Sequence, residues 1–115
     1  MAVLANPIDA FAHYEMGMVH LLYNYPLMTY ADRAKVHFRR SIELKPADEF
    51  LHLNIVFIYF TWWGVLEDED KAYAAGLLGR ITAIDPGFPA KLEARWRQSF
   101  KSADYLKAIL AELGL

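Results

Sequence analysis

Apolar residues recur at steps of three and four along nearly the whole chain, and the every-second-residue alternation of a strand persists nowhere. The spacing predicts a first helix from about Pro7 to Asn24, stopped by Pro26, whose ring cannot continue the hydrogen-bond ladder. A second is expected from Thr29, where Thr29-x-x-Asp32 has the form of a capping box, to Lys45-Pro46. Tyr30, Ala34, Phe38, Ser41 and Ile42 share its apolar face. The third runs from about Asp48 to Leu66. A fourth, Asp68 to about Ile84, opens with acidic residues that suit the positive end of the helix dipole and carries the stripe Tyr73, Leu77, Ile81 and Ile84. Gly76 and Gly79 weaken it, which marks them as points where another helix is expected to come close. Asp85-Pro86 closes it. Pro89 starts a fifth helix with Leu92, Trp96 and Phe100 one turn apart. A sixth, Ala103 to Leu113, presents Leu106, Ile109, Leu110 and Leu113 before Gly114 ends it. With short connections throughout, the expectation is an all-α chain of six helices in three antiparallel hairpins, forming one domain.

The third helix carries most of the question of function. From Phe50 to Leu66, seventeen residues, only His52, Asn54 and Thr61 are clearly polar. A membrane span needs about 20 apolar residues, with roughly 17 as the lower limit. Acidic residues flank the run on both sides, Asp48-Glu49 before and Glu67-Asp68-Glu69-Asp70 after, so no Lys/Arg asymmetry orients a span. The segment reads as a helix of a soluble protein, and membrane contact is not expected.

Two of the hairpins repeat. "AKVHFRRSIELKP" (34–46) and "AAGLLGRITAIDP" (74–86) align at an offset of 40 residues, matching Ala34 with Ala74, Phe38 with Leu78, Leu44 with Ile84 and Pro46 with Pro86. This resembles the second half of a tetratricopeptide repeat, with its alanine, a large apolar residue four positions on and a closing proline. In place of that family's W-x2-L-G-x2-Y stand His13 to His20 in the first unit and His52 to Tyr59 in the second. The family period is 34 residues, and the units here carry about five and six more, placed between their two helices. The third unit, from Pro89, keeps only the helical spacing.

What the resemblance implies is a short stack of hairpins, with units at about 10–46, 47–86 and 87–115, that binds another protein on its concave face. Carried across by alignment, the groove positions are Phe11, Tyr14, Met18 and Leu21, then Phe50, Leu53, Phe57 and Phe60, then Ala90, Glu93, Arg97 and Phe100. The interlocking positions are Met16, Gly17, Ile55, Val56, Tyr59, Ala74 and Leu78. The expected partner is a peptide, an amphipathic helix or an identical subunit offering apolar anchors, with an acidic group toward Arg97. A helix that packs on one face and lines a groove on the other is apolar all round, as the third helix is.

Composition narrows the alternatives. At 115 residues and 56% hydrophobic, the chain has enough apolar surface for a core with some left over. A formal charge of −2, with its twelve Lys and Arg not massed into one run, makes no case for nucleic acid. Cysteine is absent, which removes disulfides, thiolate metal sites and a Cys nucleophile. With Met1 as the start, the first basic residue is Arg33, too late for a secretory n-region, and a cytoplasmic location is expected.

The residues that carry chemistry point mostly to packing. Glu49-x-x-His52 is half of the Glu-x-x-His signature of di-iron carboxylate bundles, and no second copy occurs. A helical-bundle metal carrier or enzyme built on Glu49, His52 and nearby histidines is therefore the alternative to a non-catalytic binding role. Neither metal nor cofactor is expected. His13 and His20 stand two turns apart where the repeat family places packing aromatics. His37 and Ser41 lie one turn apart without a third group to complete a catalytic set. The adjacent Trp62 and Trp63 point about 100° apart on a helix, so one is expected in the core and the other toward a partner.

Overall fold

The computed structural model describes residues 9–23 and 31–114, of which 20–23, 31 and 32 are described in their backbone alone. Among the described residues there is no strand. The elements are α1 (Ala10–Tyr23), α2 (Ala31–Leu44), α3 (Glu49–Thr61), a 3₁₀ turn (Trp63–Val65), α4 (Asp68–Ile84), α5 (Phe88–Ser99) and α6 (Asp104–Glu112). The all-α expectation holds, with six helices in the described part of the chain. The expected stops at Asn24 and Pro26, the start at Pro7 and the Thr29 cap lie outside the described residues, as does Tyr30. None of the described helices is long and apolar enough to cross a membrane.

Helix ends follow local chemistry. The Asp9 carboxylate accepts hydrogen bonds from the amides of Phe11 (3.0 Å) and Ala12 (3.1 Å), capping α1. Asp48 does the same for α3 through the amide of Leu51 at 2.9 Å. The acidic first turn of α4 (Asp68, Glu69, Asp70) meets its expected boundary, and Pro89 sits in the first turn of α5. Gly114, at φ 77°, ends α6 in the left-handed conformation that favours glycine.

Three expectations need correction. The third helix ends at Thr61, well short of Leu66. Trp62 leaves the helical region (φ −99°, ψ 12°), and the amides of Val65 and Leu66 bond three residues back, to Trp62 and Trp63. The Thr61 hydroxyl donates to the Phe57 carbonyl at 2.8 Å, a bond that bends helices, and Gly64 follows as a poor helix former. On α4 the buried face is Asp70, Ala74, Leu77, Leu78 and Ile81, while Tyr73 is half-buried and Ile84 is exposed. Gly76 and Gly79 lie on the exposed side of α4, and a Cβ built at either meets nothing within 4 Å. Among the described residues, no other helix comes within 4 Å of either position.

Contacts divide the chain into two compact units, one up to Leu51 and one from His52, the division falling inside α3. In the first, α1 packs along α2. The Ser41 hydroxyl donates to the Ala10 carbonyl (2.8 Å), and His13 meets His37, a register of helices running in opposite directions. Gly17 is buried against the Phe38 ring so closely that a Cβ there would stand 2.5 Å from Phe38 Cε1. Ala34, Phe38 and Ile42 fill the buried side of α2.

The second unit is built around the rest of α3. Ile55, Val56, Tyr59 and Phe60 are buried, together with Ala74, Leu77, Leu78 and Ile81 of α4, Leu92 and Trp96 of α5, and Leu106 and Ile109 of α6. Aromatic pairs join the elements. Tyr59 lies against Tyr73 (5.7 Å between centroids), Phe57 against Trp96 (5.5 Å), and Trp96 against Tyr105 (6.1 Å). Such pairs add about 0.5–1.5 kcal/mol each beyond the area they bury.

Candidate functional site

In the first unit, three of the sequence-predicted groove residues converge. Phe11 and Phe50 each stand in the first turn of a helix whose start is fixed by an aspartate cap, Asp9 for α1 and Asp48 for α3. Tyr14 is nearly one turn beyond Phe11. The Phe50 ring lies 6.1 Å from Phe11 and 5.8 Å from Tyr14, the latter edge-on at 74°. Tyr14 also leans on the buried Phe38 at 6.1 Å, tying the cluster to the packing between α1 and α2. Despite these contacts Phe50 is 53% and Phe11 39% exposed. The Lys45 ammonium stands 5.6 Å over the Phe11 ring, within reach of a cation–π attraction, and places positive charge at the edge of the apolar surface. Met18 is half-buried, and the side chain of Leu21 lies outside the described residues.

The second unit treats its predicted groove residues differently. Leu53 is half-buried. Phe57 is half-buried too, between Trp96, Phe100 (6.1 Å) and the Arg95 guanidinium, whose carbon is 4.1 Å from the ring centroid. Phe60 is wholly buried against Trp63 at 5.2 Å, so it presents no surface to a ligand. Arg97 is exposed and paired with Glu93 at 3.5 Å, one turn earlier on α5. Arg95, which the sequence reasoning passed over, is the arginine set against aromatic surface. It holds Ser99 Oγ at 2.7 Å as well. Ala90 and Phe100 are exposed, and Tyr105 beside Trp96 is 47% exposed.

The tryptophan pair divides. Trp63 is buried, its indole N–H donating to Glu112 at 3.1 Å, while Trp62 is half-buried. The Lys71 ammonium stands 5.2 Å over the Trp63 ring.

Polar candidates are placed as follows. Glu49 is exposed and His52 fully buried, on opposite sides of the boundary between the units. Among the described residues no three His, Cys, Asp or Glu side chains gather as a metal site. Ser41 is turned to the Ala10 carbonyl, whereas the His37 Nδ1 faces the His13 Nδ1 at 3.0 Å. That histidine pair joins α1 to α2 across 24 residues of sequence. Spacing along one helix pointed instead to His13 with His20, whose side chain lies outside the described residues. The signal for the true pair was that His37 falls next to Phe38 in α2, the helix that the hairpin reading already set against α1. Comparison with family models, with characterised proteins and with solved structures gives no match.

Proposed function

We propose that this chain is a non-catalytic protein-binding module that docks another protein or peptide on the Phe11–Tyr14–Phe50 surface. The observation that supports the reading is the exposure of Phe11 and Phe50 within an ordered aromatic cluster drawn from two helices. Contiguous exposed apolar surface of this kind marks interaction sites, and aromatics anchor them at low entropic cost. Lys45 at the cluster's edge suits a partner whose apolar anchors are accompanied by a carboxylate. The resemblance of residues 34–46 and 74–86 to tetratricopeptide repeats favours the same role, and the proposed setting is the cytoplasm.

The test is affinity capture from native lysate with the wild-type chain and with Phe50→Asp. Asp at this exposed position is expected to leave the helical circular dichroism unchanged and to abolish retention of proteins that the wild type holds. Equal retention by the two chains contradicts the assignment.

A further inference from the structure

We propose that Arg95, Phe100 and Tyr105 form a second docking surface, on the unit from His52, which takes an extended proline-rich segment of another protein with a carboxylate beside its prolines. It is independent of the docking role proposed for Phe11, Tyr14 and Phe50. The buried Trp96 of α5 anchors both exposed rings. Phe100, one turn on, leaves the helix in an extended conformation (φ −132°, ψ 144°), and Tyr105 follows in the first turn of α6. Phe100 stands 4.8 Å and Tyr105 6.1 Å from Trp96, so the two rings are no more than about 11 Å apart. Phe100 remains 40% and Tyr105 47% exposed. One turn of polyproline II advances about 9 Å, so prolines three residues apart fit against both rings.

Arg95 sets the chemistry beside those rings. Its guanidinium carbon is 4.1 Å from the Phe57 centroid, and its Nη1 donates to Ser99 Oγ at 2.7 Å, so the fork is held from two sides. Arg97 pairs with Glu93 at 3.5 Å, whereas Arg95 pairs with no carboxylate among the described residues. A guanidinium has five N–H donors, and one held in place with most of them unspent suits a carboxylate gripped at two points.

The donors favour an extended ligand over a helical one. The Tyr105 hydroxyl, 3.5 Å from where a Cβ on Gly64 would lie, has no hydrogen-bond partner among the described residues. Polyproline II has no internal hydrogen bonds, so its carbonyls are open to Tyr105 and Arg95, whereas those of an α-helix are spent within it. Charge narrows the ligand further. Lys101, exposed after Phe100, adds to the pull of Arg95 on an acidic residue. Glu93 and the exposed Asp104 belong to the same stretch, so a nucleic-acid backbone would meet repulsion that a single carboxylate on Arg95 avoids.

Fluorescence anisotropy on the full chain compares labelled hexaproline flanked by glutamates, hexaproline flanked by lysines, and hexaalanine flanked by glutamates. The glutamate-flanked hexaproline is expected to bind saturably below about 1 mM, and at least about tenfold tighter than either other peptide. Arg95→Gln is expected to erase the preference for glutamate over lysine flanks while proline binding persists. Tyr105→Ala is expected to weaken the glutamate-flanked hexaproline at least about tenfold with helical circular dichroism unchanged. Phe50→Asp is expected to leave its affinity unchanged, which separates this surface from the first. No saturation by about 1 mM, equal binding of the lysine or alanine peptide, displacement by single-stranded oligothymidine, or an intact preference in Arg95→Gln overturns the proposal. Should a variant not fold, amide shifts of the wild type decide: the glutamate-flanked hexaproline is expected to move those of residues 95–105, and shifts confined to other residues overturn the proposal.

Discussion

The two units hold the same kinds of residue and use them in opposite ways. In the unit up to Leu51, two helices meet through a glycine, one buried ring and two polar bridges, and large aromatics remain outside: Phe11 and Phe50 are exposed. In the unit from His52, four helical elements enclose their aromatics, so that Phe60, Trp63 and Trp96 are buried. A phenylalanine on an apolar helix becomes core where helices close over it and surface where they do not. The comparison teaches that apolarity all round α3 reports neither a membrane span nor a two-faced groove helix by itself. It reports two different neighbourhoods along one helix.

The largest effect that sharpens this contrast is expected from removing one ring in each neighbourhood. Phe60→Ala, at a fully buried site against Trp63, should cost about 3–5 kcal/mol, as large-to-small core changes do. Phe50→Ala, at a site more than half exposed, should cost about 0.5 kcal/mol or less. Urea unfolding followed by circular dichroism measures both. Similar losses would erase the distinction between the two neighbourhoods.

A smaller effect, opposite in sign between the units, is expected at the glycines. Gly17→Ala forces a methyl to 2.5 Å from a fully buried ring, an overpacking cost of about 1–3 kcal/mol that outweighs the roughly 1 kcal/mol gained in helix propensity. Gly76→Ala and Gly79→Ala meet open space on α4 and should each stabilise by about 0.5–1 kcal/mol. Thermal unfolding of the three variants reads the signs directly; a destabilised Gly76→Ala or Gly79→Ala would mean that something does pack there.

Much of the fold was legible because helices announce their ends with local chemistry. Asp48 as the start of α3, the acidic opening of α4, its stop before Asp85-Pro86, and Gly114 after α6 are all decided within a turn of the residues concerned. What was not legible depends on tertiary contact. The break after Thr61 falls inside an unchanged apolar run, and the Trp63 that follows it donates to Glu112, far along the chain. Gly76 and Gly79 signal a weak helix whether a neighbour approaches or not. Ile84 matched Leu44 of the repeat pattern yet stands 63% exposed at the last turn of α4. Of the candidate site, Phe11, Tyr14 and Phe50 were placed together by aligning the repeats. The cations beside the rings, Lys45 and Arg95, were missed, because a contact between a flexible side chain and a ring leaves no periodic trace.

The central claim is that the exposed aromatic cluster of the first unit is where a partner docks. Placing the photo-crosslinking residue benzoylphenylalanine at position 50, and separately at Val36 on α2, tests it most directly. Val36 is 64% exposed, so accessibility alone does not distinguish the two positions. Irradiation in native lysate is expected to give discrete protein adducts from position 50 and none of the same adducts from position 36. Identical adducts from both positions, or none from position 50, would contradict the account.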